Sequence, residues 1–591
     1  MPGSKVMVSD KDDPAVVVSL DRQSMVSSVP HPPGLNLTDA LTVEAWVDAR
    51  DARQEGLQAL VSQWTPPDAY AGFSAFDAAA IGGLPTRGYF GAVFDGRYVY
   101  FVPEQHGEEG MPTHGVVLRY DTHGEFADRS SYSAYDAGQT DGLQTRGFYG
   151  AIFDGRYVYF VPRQIDMVEY HSRILRYDTH SDFDDPKSWA ARDMGEAHSQ
   201  QGAAFDGRYL YFAPGFSGDP TLEDEYCGRV IRLDTQAEFK DPQSSTSVDI
   251  SEFLGPQCAC FDGAAFDGRY IYLVPLYTGV AVRYDTQADF ADANAWQRFD
   301  AKPLGFQLAV GAVFDGRYLY YCAYGHATIV RYDTQGEFTD ANAWQRWDAD
   351  HTDGLRTTGF DGGFFDGRFV YFQPFFLHMG PGERDNLFHS HYLRYDPNKP
   401  FADPASWQAY DASRTDGLHS VGYNAGAFDG RYFYAAPWQQ GPKPDRPGEF
   451  VTHGIVLRCD TLGTSGSFSL RYCDYGHNGG LNAAVPGPSF VVNTERGPLS
   501  VALHGALSVG RHHLAGVYDG QRLALYIDGE LRAIREGSGG LVANDEPIAV
   551  GHIHKGQGHF AGDVWGVRVA RVARSAEYIA GAWREKLPVG G

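Results

Sequence analysis

A chain of 591 residues with 70 glycines, 32 prolines, 36 tyrosines and 37 phenylalanines is rich in turn and strand formers, which predicts an all-β protein. With 43% hydrophobic and 21% charged residues it has the composition of a folded chain and not of a disordered one. The formal charge of −26 excludes nucleic acid as the expected partner, and no apolar run approaches the about 18 residues of a membrane span.

Residues 1–12 read as disordered, and the start MPGSKVMVSDKDDPAVVV lacks the apolar stretch of a signal peptide. Two expectations follow: a cytoplasmic protein, or a secreted one whose signal has been removed. From 13 to 66 the segments AVVVSL, LTVEAWVDA and LQALVSQW read as strands.

Between 67 and 463 one pattern occurs seven times. GAVFDGRYVYFVP begins at Gly91, with close copies at Gly150, Gly202, Gly263, Gly311 and Gly362, and a copy one residue shorter, GAFDGRYFYAAP, at Gly426. The turn residues Asp95, Asp154, Asp206, Asp267, Asp315, Asp366 and Asp429 set a period of 48 to 63 residues, which suits a propeller blade. Asp-Gly between apolar strands predicts a tight hairpin with both central residues at positive φ. The small Gly-Ala before it suits seven strands crowding one axis, and Arg-Tyr-x-Tyr-Phe alternates as a second strand.

A third strand, VVLRYDT at Val116 and its counterparts, follows in every repeat, but a fourth strand follows in only six. The seventh lies upstream, as FSAFDA at Phe73. Strands from both ends of the segment therefore close the ring and fix seven blades.

Residues 464–591 again read as strands. Leu41–Val47, His512–Gly520, Leu525–Gly529 and Gly562–Val569 together resemble a laminin-G-like (concanavalin A-like) jelly roll. The resemblance implies one β-sandwich from 13–66 and 464–591, split by the propeller. It also implies a domain type that binds carbohydrate and a calcium ion, or that serves only for docking. The six cysteines contain no C-x-x-C pair, so neither a zinc cluster nor a disulfide framework is expected.

Seven tight hairpins close one propeller face, which sends the search for chemistry to the other, where the loops after strands two and four lie. Three readings compete there. In the first, Arg87, Arg146 and Arg356 clamp an acidic sugar while a tyrosine and a histidine move protons, as in elimination by a polysaccharide lyase. The catalytic candidates are then Tyr170, His171, His198, His326 and Arg146, and Arg87, Arg356, Tyr277, His419, Tyr423 and Trp438 bind substrate. Against it, the arginines recur in similar Thr-Arg-Gly segments as blade caps would. In the second, His389 and His391, two apart on a strand, hold a divalent metal with His378, or Asp262 and Asp361 do so beside the inner-strand glycines. In the third, the face binds a glycan or a protein without chemistry; an enzyme acting on a small molecule is the remaining alternative.

Overall fold

The computed structural model describes residues 15–20, 28–30, 35, 37–49, 58–64, 69–70, 72–106, 112–166, 169–218, 226–306, 308–378, 387–443, 446–461, 466–473, 487–503, 507–552, 560 and 562–584. They form two compact units, one of Phe73–Cys459 and one of the segments flanking it.

The first unit is built from seven four-stranded antiparallel sheets. Blade 1 runs from its inner strand outward as Tyr89–Phe94, Tyr98–Pro103, Val116–Asp121 and Tyr132–Asp136. Blades 2 to 6 repeat that order, and blade 7 joins Tyr423–Phe428, Tyr432–Pro437 and Ile455–Asp460 to the outer strand Gly72–Asp77. Each inner strand packs against those of its two neighbours, blade 7 against blade 1, so the circle is closed. The protein is all-β, a seven-bladed propeller with a jelly-roll sandwich.

The Asp-Gly turn differs from expectation in one respect: only the glycine is left-handed (φ 101° at Gly96), and the central pair of the turn is Gly96-Arg97. The aspartate closes it from outside. Asp95 Oδ1 accepts the N–H groups of Arg97 (2.8 Å) and Tyr98 (2.6 Å), and Oδ2 accepts the Tyr100 hydroxyl (2.7 Å). Side-chain capping of free N–H groups is what Asp does in turns.

Blades are stapled by the arginine of the third strand. Arg119 lies between the Tyr98 ring of its own blade (4.2 Å) and Phe183 of the next (4.1 Å). Arg458 of blade 7 repeats this with Tyr432 and Phe126, each at 4.2 Å, carrying the stacking across the closure. A desolvated cation–π contact contributes about 2 kcal/mol, so the recurring Arg is blade mechanics.

The second unit is a sandwich of two six-stranded sheets, and each draws on both chain ends. In one, Leu41–Ala49 pairs with Gly510–Tyr518 and with Gly562–Ala570; in the other, Gln58–Trp64 pairs with Gly466–Cys473. Strand alternation sends Leu41, Val43, Ala45, Val47 and Ala49 into the core. On the opposite side Glu44 meets His513 (3.3 Å), and Trp46 stacks on Trp583 of the helix Ala576–Arg584 (5.1 Å). No helix among the described residues is long and apolar enough to cross a membrane. Cys227, Cys258, Cys260, Cys322 and Cys459 are free thiols.

Candidate functional site at the axial mouth

Every inner strand carries a β-bulge near its start. In blade 1 Tyr89 pairs with Pro103 and Ala92 with Phe101, so the inner strand spends one extra residue at Phe90-Gly91. The glycine takes positive φ in blades 1 to 6 (83° at Gly91, 95° at Gly263), and Ala425 takes it in blade 7 at 42°. The seventh copy is therefore not short; alanine occupies its glycine position, with the strain a Cβ brings there. Bulges re-aim side chains. The residue before each bulge glycine forms a ring of seven: Phe90, Tyr149, Gln201, Asp262, Val310, Asp361 and Asn424, all buried.

A second set follows one residue past the second strand in six blades, Glu104, Arg163, Leu276, Tyr324, Phe375 and Trp438, with Gly215 at the same register inside the longer strand Tyr209–Ser217 of blade 3. Arg163 Nη1 donates to Glu104 Oε1 (3.1 Å), and Trp438 Nε1 donates to Glu104 Oε2 (3.0 Å). The guanidinium of Arg163 covers Tyr149 (4.7 Å), which stacks on Phe90 (3.9 Å). Tyr324, Phe375 and Trp438 continue the aromatic wall, with centroids 6.0 and 5.4 Å apart. Gly215 leaves room for Gln201, whose Cγ would lie 2.4 Å from a Cβ at that position.

The two sets converge. Tyr149 of blade 2 donates its hydroxyl to Asp262 Oδ2 of blade 4 (2.8 Å), passing over blade 3. Burial pushes the Asp262 carboxyl up to about 8, and burial together with the charge of Asp262 pushes Asp361 far above the carboxylate range. Asp262 Oδ1, Asp361 Oδ1, Gln201 Oε1 and both amide atoms of Asn424 are buried without a hydrogen bond. Buried polar atoms ordinarily have partners, so a group of them at one register calls for a water, an ion or a ligand. A cavity of about 600 Å³ adjoins blade 3, lined by Glu196, His198, Cys227, Arg229 and Asp249, and by Tyr226, which also packs against the axial cluster.

The histidine candidates fall elsewhere. His171 accepts the Arg173 N–H on Nδ1 (3.1 Å), and its Nε2 meets the Arg146 carbonyl (3.1 Å). His114, His326, His389 and His453 repeat this two residues before the third strand of their blades. Burial holds His114 and His389 down to about 3 and His171 and His453 to about 4. Both nitrogens are used by the backbone, so the sequence expectation of His171 and His326 as proton carriers and of His389 as a metal ligand is replaced by a structural task. His391 Nδ1 lies against the Arg356 carbonyl (2.8 Å), and the side chain of His378 lies outside the described residues. No three or more His, Cys, Asp or Glu side chains among the described residues come together to hold a metal, in the propeller or as the calcium site expected of the sandwich.

The arginines do not form a clamp. Arg146 pairs with Asp166 (3.1 Å) and exposed Arg356 with Asp350 (3.4 Å), and Thr358 occupies in blade 6 the register of Arg87 and Arg146. Arg87 is half-buried. His198 meets the Arg229 carbonyl (3.1 Å) at the blade-3 cavity, with Glu196 at 3.8 Å. Tyr170 stacks on Phe216 (6.1 Å), and Tyr277, 45% exposed, stacks on Tyr226 (5.9 Å). Tyr423 is buried against His453 (5.3 Å), and His419 is exposed. Of the expected residues, the axial mouth gathers Asp262, Asp361 and Trp438; sequence reasoning passed over Tyr149, Arg163 and Asn424. Their signal was present as variation at two fixed registers of an otherwise uniform repeat.

Residues 452–580 match the concanavalin A-like lectin/glucanases superfamily. No curated protein matches the sequence. Among solved structures, a streptogramin B lyase aligns at 12% identity over 67% of this chain and 100% of its own (TM-score 0.39). The periplasmic gluconolactonase of Pseudomonas aeruginosa aligns at 14% identity over 65% and 98% (TM-score 0.37). The Myceliophteria thermophila Cps50 (Swd1) β-propeller domain does so at 9% over 68% and 99% (TM-score 0.35). The chain joins a propeller to a sandwich that carries the concanavalin A-like match.

Proposed function

We propose that this protein is carbohydrate-active at the loop face of its propeller, with the axial mouth taking a sugar ring. One observation carries the reading: buried polar atoms without partners on Asp262, Asp361, Gln201 and Asn424 lie in a mouth walled by Phe90, Tyr149, Tyr324 and Trp438. Sugars present apolar C–H faces and a rim of hydroxyls, so aromatic walls with a few convergent polar groups suit them. The lectin-like sandwich adds support as a second carbohydrate module.

Binding is favoured over cleavage of acidic polysaccharide by elimination. Elimination needs a base with a free lone pair facing the substrate, and two of the expected proton carriers, His171 and His326, have both nitrogens spent on the backbone. The test is retention of the full chain on an array of neutral and uronate-bearing glycans, repeated with Trp438→Ala. Retention weakened about tenfold or more by Trp438→Ala supports the reading. Absence of retention, or retention indifferent to that change, overturns it. Absorbance from an unsaturated product on uronate polymers would restore the lyase.

A further inference from the structure

We propose that the axial mouth binds one hard divalent cation of the calcium class, held by Asp262 and Asp361 with amide oxygens of Gln201 and Asn424. The inference deepens the glycan reading, on which it rests for the identity of the ligand: the cation would present open coordination positions to neighbouring sugar hydroxyls.

Charge is the first argument. The mouth buries three carboxylates, Glu104, Asp262 and Asp361, each below 3% exposed, and one guanidinium, Arg163, reaches them. Arg163 is already paired with Glu104 at 3.1 Å. With all acids ionised, the balance is two negative charges without a counter-ion. Buried charge of that kind is expensive unless it is neutralised by a proton or matched by a cation. A divalent ion matches it.

Donor chemistry is the second. At one register of blades 3, 4, 6 and 7 four oxygens lack hydrogen bonds, Asp262 Oδ1, Asp361 Oδ1, Gln201 Oε1 and Asn424 Oδ1; Asn424 Nδ2 and Arg163 Nε are bare beside them. Hard cations of this class take carboxylate and amide oxygens together, so two acids and two amides are a suitable set where three acids do not meet. The bulge puts these residues at one register of their inner strands, and Tyr149, donating to Asp262 Oδ2 (2.8 Å), leaves Oδ1 without a partner. A sulfur- or nitrogen-seeking metal would find no histidine or thiolate in this ring.

The test uses the full chain stripped with a chelator and dialysed, with no sugar present. Calcium chloride alone is expected to bind at one equivalent per chain in calorimetry and to raise the melting temperature by several degrees. Terbium is expected to give sensitised emission excited through the neighbouring Tyr149 and Trp438. Asp262→Asn and Asp361→Asn keep side-chain shape and are expected to abolish both signals while melting no lower than the stripped wild type. Absence of calcium, magnesium or manganese binding to the wild-type chain overturns the inference, as does a calcium response that survives in the double variant. Cation binding without glycan retention would sink the glycan reading alone, and glycan retention without cation binding would sink the cation alone.

Discussion

The turn face and the loop face of the propeller are two ends of the same seven repeats. At the turn face every blade sets an aspartate whose Oδ1 caps the two N–H groups that follow, at 2.6–2.9 Å in Asp95, Asp267 and Asp429 alike. At the loop face the bulge is equally regular, yet the residue it aims is an aromatic in blades 1 and 2, an amide in 3 and 7, an acid in 4 and 6, and valine in 5. The first end engages Oδ1 of every turn aspartate and leaves Asp366 Oδ2 bare; the second leaves bare atoms on four of its seven aimed residues. A repeat therefore reports mechanics where it is constant in type, and chemistry where only its position is constant.

The largest way to break this comparison is at the turn face. Asp267→Ala removes both caps and strands the buried Tyr272 hydroxyl, which donates to Asp267 Oδ2 at 2.8 Å. The expected loss is about 3 kcal/mol, read by urea unfolding, because a buried donor loses its partner. A loss below about 1 kcal/mol would mean that the turn holds itself.

The histidine staples come next. With an unfolded value near 6.5 and a folded value of about 4, His171 binds fewer protons folded than unfolded in that window. Its contribution is thus fully present above pH 6.5 and is lost as pH falls towards 4. Each such histidine adds a slope of up to about 1.4 kcal/mol per pH unit. Urea unfolding of His171→Gln between pH 4 and 7 should show a shallower acid slope than the wild type; an unchanged slope would remove the staple from the account.

The smallest effect has the opposite sign. Asn424→Leu replaces two bare amide atoms with apolar groups of similar size and should stabilise the stripped chain by about 1 kcal/mol in the same assay. Destabilisation instead would show that Asn424 is satisfied in the free protein and that the two faces differ less than they look.

The blades, the upstream closing strand and the split sandwich were legible in the sequence because each rests on periodicity or on turn chemistry. The site was only half legible. Histidine is scarce and chemically versatile, so His171, His326 and His389 stood out as candidates. Yet their common place two residues before the third strand marks them as part of the repeat, like the turn aspartates. Arg163 and Tyr149 escaped notice because each is an ordinary residue in sequence and acquires meaning only from neighbours 59 residues away at Glu104 and 113 away at Asp262. Asp262 and Asp361 were visible because an acid directly before a bulge glycine has no structural reason to be there.

The closing strand Gly72–Asp77 has a consequence for synthesis. It is the first strand of the propeller to leave the ribosome, and its partner Ile455–Asp460 is the last. At about 5–20 residues per second, the roughly 380 residues between them keep that strand waiting on the order of 20–80 seconds. For that interval Phe73 and Phe76 sit on an unpaired edge, a target for chaperones or for the same strand of a neighbouring nascent chain. The ring cannot close before Ile455–Asp460 has been made, so the last blade is also the one whose two ends are separated longest in time.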